Sequence, residues 1–251
     1  MFALEFPPIE NLVIWPAYFG EDTIFEFNKI ALISLLALLI PSVLFVLAKK
    51  DMVPRGLQNV VESTIEFVEN QVIMAAIGPD GMRFLPLLMS IFLFVFFGNI
   101  FEVIPTFHMP ANARMANPAF LAVVVWVTFI WVGAKTNGVR YFVDIIWPPS
   151  VPVALRPLVG LIEFISVFIL RPFGLAVRLF ANLLAGHILL VTFGVLCITL
   201  WQTSWLAAIL PFSFGMLVAL TGFEVMVSFL QAFVFALLAA VYIDSSLHAH
   251  H

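Results

Sequence analysis

Apolar residues run along this chain in stretches longer than soluble helices use. Three runs of about 20 residues, at 28–48, 85–104 and 118–134, match the helical length that crosses a hydrocarbon layer about 30 Å thick. Two longer runs come next, at 155–200 and 206–243, each interrupted by only a few polar residues. At about 1.5 Å per residue, a helix of roughly 40 residues reaches about 60 Å, twice that thickness, so each must tilt strongly, bend or break. Pro211 marks a break near the start of the last run, and the stretch 212–243 is still too long for an upright span.

Between the first two spans, Leu57, Val60, Val61, Ile65, Val68 and Val72 recur at helical spacing, with Glu62, Glu66 and Glu69 on the other face. The pattern predicts an amphipathic helix, lying either on the cytoplasmic interface or against another subunit. Residues 136–149, with Trp147, Pro148 and Pro149, predict an interfacial loop with an aromatic anchor. The expected architecture is an all-α integral membrane protein. About five membrane-embedded helices and one interfacial amphipathic helix form a single domain, the last two long and strongly tilted as an antiparallel hairpin. Its parts are an extracytoplasmic segment at 1–27, a span at 28–48, the amphipathic helix at 54–77, a two-span hairpin at 84–136 and the long hairpin at 155–243.

Composition agrees: 63% of the 251 residues are hydrophobic, 10% are charged, and the mean hydropathy is +1.12, outside the range of soluble domains. The 11 basic residues are scattered, which excludes a nucleic-acid footprint. Lys49, Lys50, Arg55 and Arg83 lie between the first two spans, whereas Arg114 is alone in the next loop. Lys135, Arg140 and Arg156 return to the first side, so the N-terminus is expected outside and the C-terminus in the cytoplasm. Residues 1–25 show no basic region or small-residue cleavage site, and are expected to be retained. Cys197, inside an apolar run, reads as a small hydrophobe.

The two long runs carry Glu163, Arg171, Arg178, His187 and Glu224, joined by Asn182, Ser228 and Gln231. Such groups cost several kcal/mol in lipid unless they face protein or water, so each needs a partner. If the chain reverses at Gln202, Thr203 and Ser204, Arg178 falls opposite Gln231, His187 opposite Glu224, and Glu163 near Tyr242 and Asp244. Glu224, Gln231 and Tyr242 stand near whole numbers of turns apart and form one stripe, while Arg178 and His187 occupy nearly opposite faces. Around Arg178 the residues are small, Gly174, Ala181 and Ala185 with Asn182, which lets another helix approach one fixed positive charge. His187 and Glu224 are the side chains most easily tuned to exchange protons near neutral pH, and equally could be a pair that only fixes packing. Glu163, Tyr242 and Asp244 read either as a channel mouth or as solvated helix ends. Arg171 lies within snorkelling reach of the cytoplasm and is set aside. The tail residues His248, His250 and His251 have too few fixed neighbours to specify a metal site.

Residues 171–187, RPFGLAVRLFANLLAGH, resemble the signature of the F-type ATP synthase subunit a family, whose core reads LRLF[GA]N followed by AG and a polar residue. Val177 stands where that family usually has Leu. Residues 229–235, FLQAFVF, look like the family's LQAF[IV]F motif. The resemblance implies a stator subunit whose two oblique helices lie against a rotating c-ring of small hairpin proteins, each carrying one membrane carboxylate, with b-type subunits as the peripheral stalk. Arg178 matches the family's essential arginine, Asn182 and Gln231 the polar residues beside it, and Tyr242 a tyrosine near the cytoplasmic channel. His187 and Glu224 occupy two positions where the family places an acid and a histidine in either order.

The expected activity is proton translocation through two aqueous half-channels, with Na⁺ left open as the ion, no cofactor, and a bacterial plasma membrane favoured over a mitochondrial inner membrane. The chain lacks a GxxxxGK[ST] loop, so nucleotide chemistry is expected on other subunits. A solute transporter holding an anion on Arg178 is the alternative from another class; it would call for matched interrupted segments, which the two halves lack. A membrane scaffold would not need so many aligned ionisable groups.

Overall fold

The computed structural model describes residues 28–48, 55–104, 111–147, 151–201 and 205–248. Residues 1–27, Lys49 and Lys50, Pro148 and Pro149, the reversal at 202–204, and His250 and His251 lie outside the described residues. The first helix, α1 (Lys29–Leu47), opens on Asn28, whose side chain accepts the Ala31 N–H at 3.0 Å and so satisfies one of the free amides of the first turn. The amphipathic helix α2 (Leu57–Val68) continues through a π turn, Glu69–Ile73, to Met74–Ala76. A 3₁₀ stretch, Pro79–Phe84, leads into α3 (Leu85–Ile100), and α4 (Ala116–Asn137) comes after it. Among the described residues, five helical segments are long and apolar enough to cross a membrane. Two of them, Arg156–Leu200 and Ala207–Leu247, hold 45 and 41 residues, so the excess length expected from the sequence is present in the structure. No strand occurs among the described residues, and the protein is an all-α membrane protein.

The fourth segment is not one uniform helix. It comprises α6 (Arg156–Ile165), a π turn at Ser166–Leu170, and α7 (Arg171–Leu200). The last helix, α8 (Leu210–Leu247), has Pro211 in its first turn, where a missing N–H costs nothing. A 3₁₀ stretch, Trp205–Ile209, directly precedes this helix, so Pro211 stands at the change of helix type near the start of the last run.

Helix α8 is the central post and packs against α3, α4 and α7, while α1 leans on α3. Ala232, Ala236, Ala239 and Ala240 of α8 are fully buried, and such small side chains let helix backbones approach in the absence of a hydrophobic drive from lipid. Leu175, Leu179 and Leu183 form the inward stripe of α7. Arg171 meets Tyr242 and Ser245, and Gly186 meets Glu224, so α7 and α8 run antiparallel. In α2 and its π turn, Val68, Val72 and Ile73 are buried, but Leu57 and Val60 are exposed, leaving the start of the apolar stripe uncovered among the described residues.

Residues 140–146 form a short helix, α5 (Arg140–Ile146), where the sequence predicts a loop. Gly138, at φ 61°, ends α4 in a conformation that favours glycine, and the chain folds back so that the Tyr141 ring lies on Gly133. A β-carbon at Gly133 would overlap that ring. Trp147, the expected aromatic anchor, remains exposed at the end of α5.

Candidate functional site

Arg178 stands on the outer face of α7 with Gly174, Ala181 and Ala185, all exposed, while Leu175, Leu179 and Leu183 turn inward. Asn182 is half-buried at the edge of that face. No hydrogen bond or ion pair reaches Arg178 among the described residues. A guanidinium within a membrane span, flanked by small side chains and directed away from the core, needs a partner beyond the described residues.

The inner faces of α7 and α8 enclose polar groups. Glu224, Ser228 and Gln231 lie on one buried stripe of α8, and His187 is buried on α7. The structure changes one pairing that the sequence leads one to expect. Glu224 packs against Gly186, where any β-carbon would overlap its carboxylate, one residue from the expected level. The imidazole of His187 goes elsewhere: its Nδ1 is 3.5 Å from Oε1 of Glu102, beyond the end of α3. That is an ion-pair distance rather than a good hydrogen bond. Both Glu102 oxygens, Oε2 of Glu224, Oγ of Ser228 and Nε2 of Gln231 lack hydrogen-bond partners among the described residues. Near them Asn112 Nδ2 donates to Asn99 Oδ1 at 2.8 Å, leaving the other amide atom of each unmatched. Buried polar atoms are seldom left unmatched, and a file of them marks a path that water can occupy.

At the other end of the hairpin the polar groups are matched. Arg171, set aside on sequence grounds, lies over the rings of Phe129 and Tyr242, 5.9 and 5.2 Å from their centres, and its Nη1 donates to Ser245 Oγ at 2.9 Å. The hydroxyls of Tyr141 and Ser246 are 3.2 Å apart, and Asn137 Nδ2 donates to the Ser246 carbonyl at 3.2 Å. Burial raises the Tyr141 phenol above its ordinary value; the Ser246 contact and the Arg171 charge oppose this, and the Glu163 charge reinforces it. Glu163, half-buried on α6, is therefore close enough to Tyr141 for its charge to act on that phenol. Asp244 instead faces His248, 2.8 Å away one turn on, which gives that tail histidine a defined neighbour.

The sequence reading missed Glu102, Asn99, Asn112 and Tyr141. One signal was available for the first: Glu102 is the only acid in the 85–104 apolar run, a position that is costly by default.

The family model described as ATP synthase A chain matches residues 30–244. A curated relative named ATP synthase subunit a, from Frankia alni, is 42% identical over 234 residues, covering 89% of this chain and 79% of its own length. A protein of the same name from Rhodococcus erythropolis is 42% identical over 235 residues, covering 90% and 84%. One from Bradyrhizobium diazoefficiens is 36% identical over 256 residues, covering 99% of this chain and 100% of its own length.

Proposed function

This chain belongs to the ATP synthase A chain family, and on that premise we propose that it conducts protons through the membrane sector of a rotary ATP synthase, as a non-catalytic stator subunit. Its partners are a c-ring of carboxylate-bearing hairpins on the Gly174–Arg178–Ala181–Ala185 face and b-type stalk subunits. It sits in a bacterial plasma membrane with its N-terminus outside and its C-terminus in the cytoplasm.

Protons enter from outside along the unmatched polar file of Glu102, His187 and Glu224, with Ser228, Gln231 and Asn182 leading toward the ring. A histidine and two carboxyl groups can each take up a proton and give it back, and bridging water carries protons between them. A ring carboxylate takes the proton, rides almost a full turn and releases it toward Glu163, Tyr242 and Asp244. Arg178 separates the two routes. Its charge favours the ionised form of the ring carboxylate opposite it and repels a proton crossing directly. Each proton descending about 100 mV supplies about 2.3 kcal/mol, so several per turn are needed for one ATP.

The observation that carries this reading is Arg178 itself, exposed on a membrane helix among small residues with no partner among the described residues, beside a buried file that contains proton-exchanging groups. The test is Arg178→Ala in membrane vesicles containing the assembled complex, with ATP-driven acidification and passive proton leak both recorded. Loss of pumping with assembly retained is expected; normal coupled pumping would overturn the assignment.

A further inference from the structure

The π turn at Ser166–Leu170 has a cause in the sequence. Its signature is the Arg171 N–H, which donates to the Ser166 carbonyl five residues back. The next residue, Pro172, has no N–H, and in an unbroken α-helix its ring would clash with the carbonyl of Phe168, four residues earlier. A π turn relieves the clash but leaves the Val167 carbonyl, five residues before Pro172, without a main-chain donor. Val167 is buried, where an unmatched carbonyl is costly. The indole N–H of Trp126, reaching across from α4, donates to that carbonyl at 3.2 Å, and the indole meets the Phe168 ring edge-on at 5.9 Å.

The turn sets a geometry further along. Glu163 and Arg178 are 15 positions apart in the sequence. Regular α-helix would make that about 4.2 turns, placing Glu163 about 60° to one side of Arg178. One residue absorbed by the bulge leaves about 3.9 turns, about 40° to the other side. In the structure Glu163 is half-buried and acts on the Tyr141 phenol beside Arg171.

We propose that Trp126 is a positioning residue: its N–H holds the π turn, and the turn presents Glu163 to the Tyr141 and Arg171 cluster instead of to the opposite side of Arg178. The geometry stands by itself, while its consequence for proton exit rests on the function proposed above.

The experiment uses the assembled complex in membrane vesicles, in a Cys197→Ser background, with single cysteines introduced in turn at Ile162, Glu163 and Phe164. A membrane-impermeant thiol reagent reads which of the three faces water on the cytoplasmic side. Trp126→Phe keeps a ring against Phe168 but removes the N–H, and the position of strongest labelling is expected to move by one residue. Adding Pro172→Ala removes both the ring clash and the missing N–H, so regular α-helix becomes available there, no carbonyl is left bare, and the strongest labelling is expected to stay at the shifted position. An unchanged pattern in Trp126→Phe would overturn the inference. If that variant does not accumulate, recovery on adding Pro172→Ala supports the inference, and failure to recover while Pro172→Ala alone accumulates overturns it. Pumping is measured in parallel with Glu163 intact. A shifted pattern with normal pumping would leave the positioning role in place and remove Glu163 from the proposed exit route.

Discussion

The two ends of the α7–α8 hairpin are both polar, and they are polar in different ways. At the end nearer the connection between the helices, the outer one, Glu102, His187 and Glu224 are buried; His187 stands at ion-pair distance from Glu102, but neither Glu102 oxygen nor Oε2 of Glu224 accepts a hydrogen bond among the described residues. At the inner end Arg171 is stacked on two rings and bonded to Ser245, while Tyr141, Asn137 and Ser246 satisfy one another. Polar groups that match one another form a joint, which rigidifies; polar groups left unmatched in a protein interior call for water, which conducts. The inner joint also ties α4, α5, α7 and α8 together, whereas the outer file brings α3 into a site that two helices alone would not complete.

The outer end should be the more sensitive to losing an ionisable group. Glu102→Gln keeps the shape beside His187 but cannot relay a proton, and coupled pumping is expected to fall about tenfold or more, read by acidification in vesicles with assembly checked. Unchanged pumping would remove Glu102 from the path.

Gly186→Ala asks how tightly the outer file is built. A methyl group there overlaps the Glu224 carboxylate, and thermal unfolding in detergent should show a loss of about 1–3 kcal/mol. Glu224→Asp, one carbon shorter, should recover part of that loss; no recovery would mean that the methyl group is accommodated by other shifts. At the inner end Arg171→Ala removes two ring contacts and one hydrogen bond. It should cost about 1–2 kcal/mol of stability while pumping by the assembled complex changes little. A collapse of pumping would turn the joint into part of the path. Tyr141→Phe should have the smallest effect, about 0.5–1.5 kcal/mol, because Ser246 Oγ keeps its bond to the Tyr242 carbonyl at 3.1 Å.

Much of the fold is determined by hydrophobic run length and helical period alone. These specify five spanning segments, the overlong final pair, and an outer α7 face on which Arg178 stands among Gly174, Ala181 and Ala185, because a period of about 3.6 residues leaves few other ways to bury Leu175, Leu179 and Leu183. The level at which α7 meets α8 is also set by sequence to within one residue, since α7 is unbroken from Gly186 to Leu200 and α8 from Leu210 to Glu224. What the tertiary structure alone decided are meetings between elements far apart in the chain. Glu102 reaches His187 across 85 positions, Arg171 finds Tyr242 and Ser245 across the hairpin, and the Trp126 indole finds a carbonyl that Pro172 leaves bare. Sequence period places a side chain on a face of its own helix; which neighbour that face meets depends on how α3, α4, α7 and α8 pack, and burial then makes each unmatched donor or acceptor seek a partner or water.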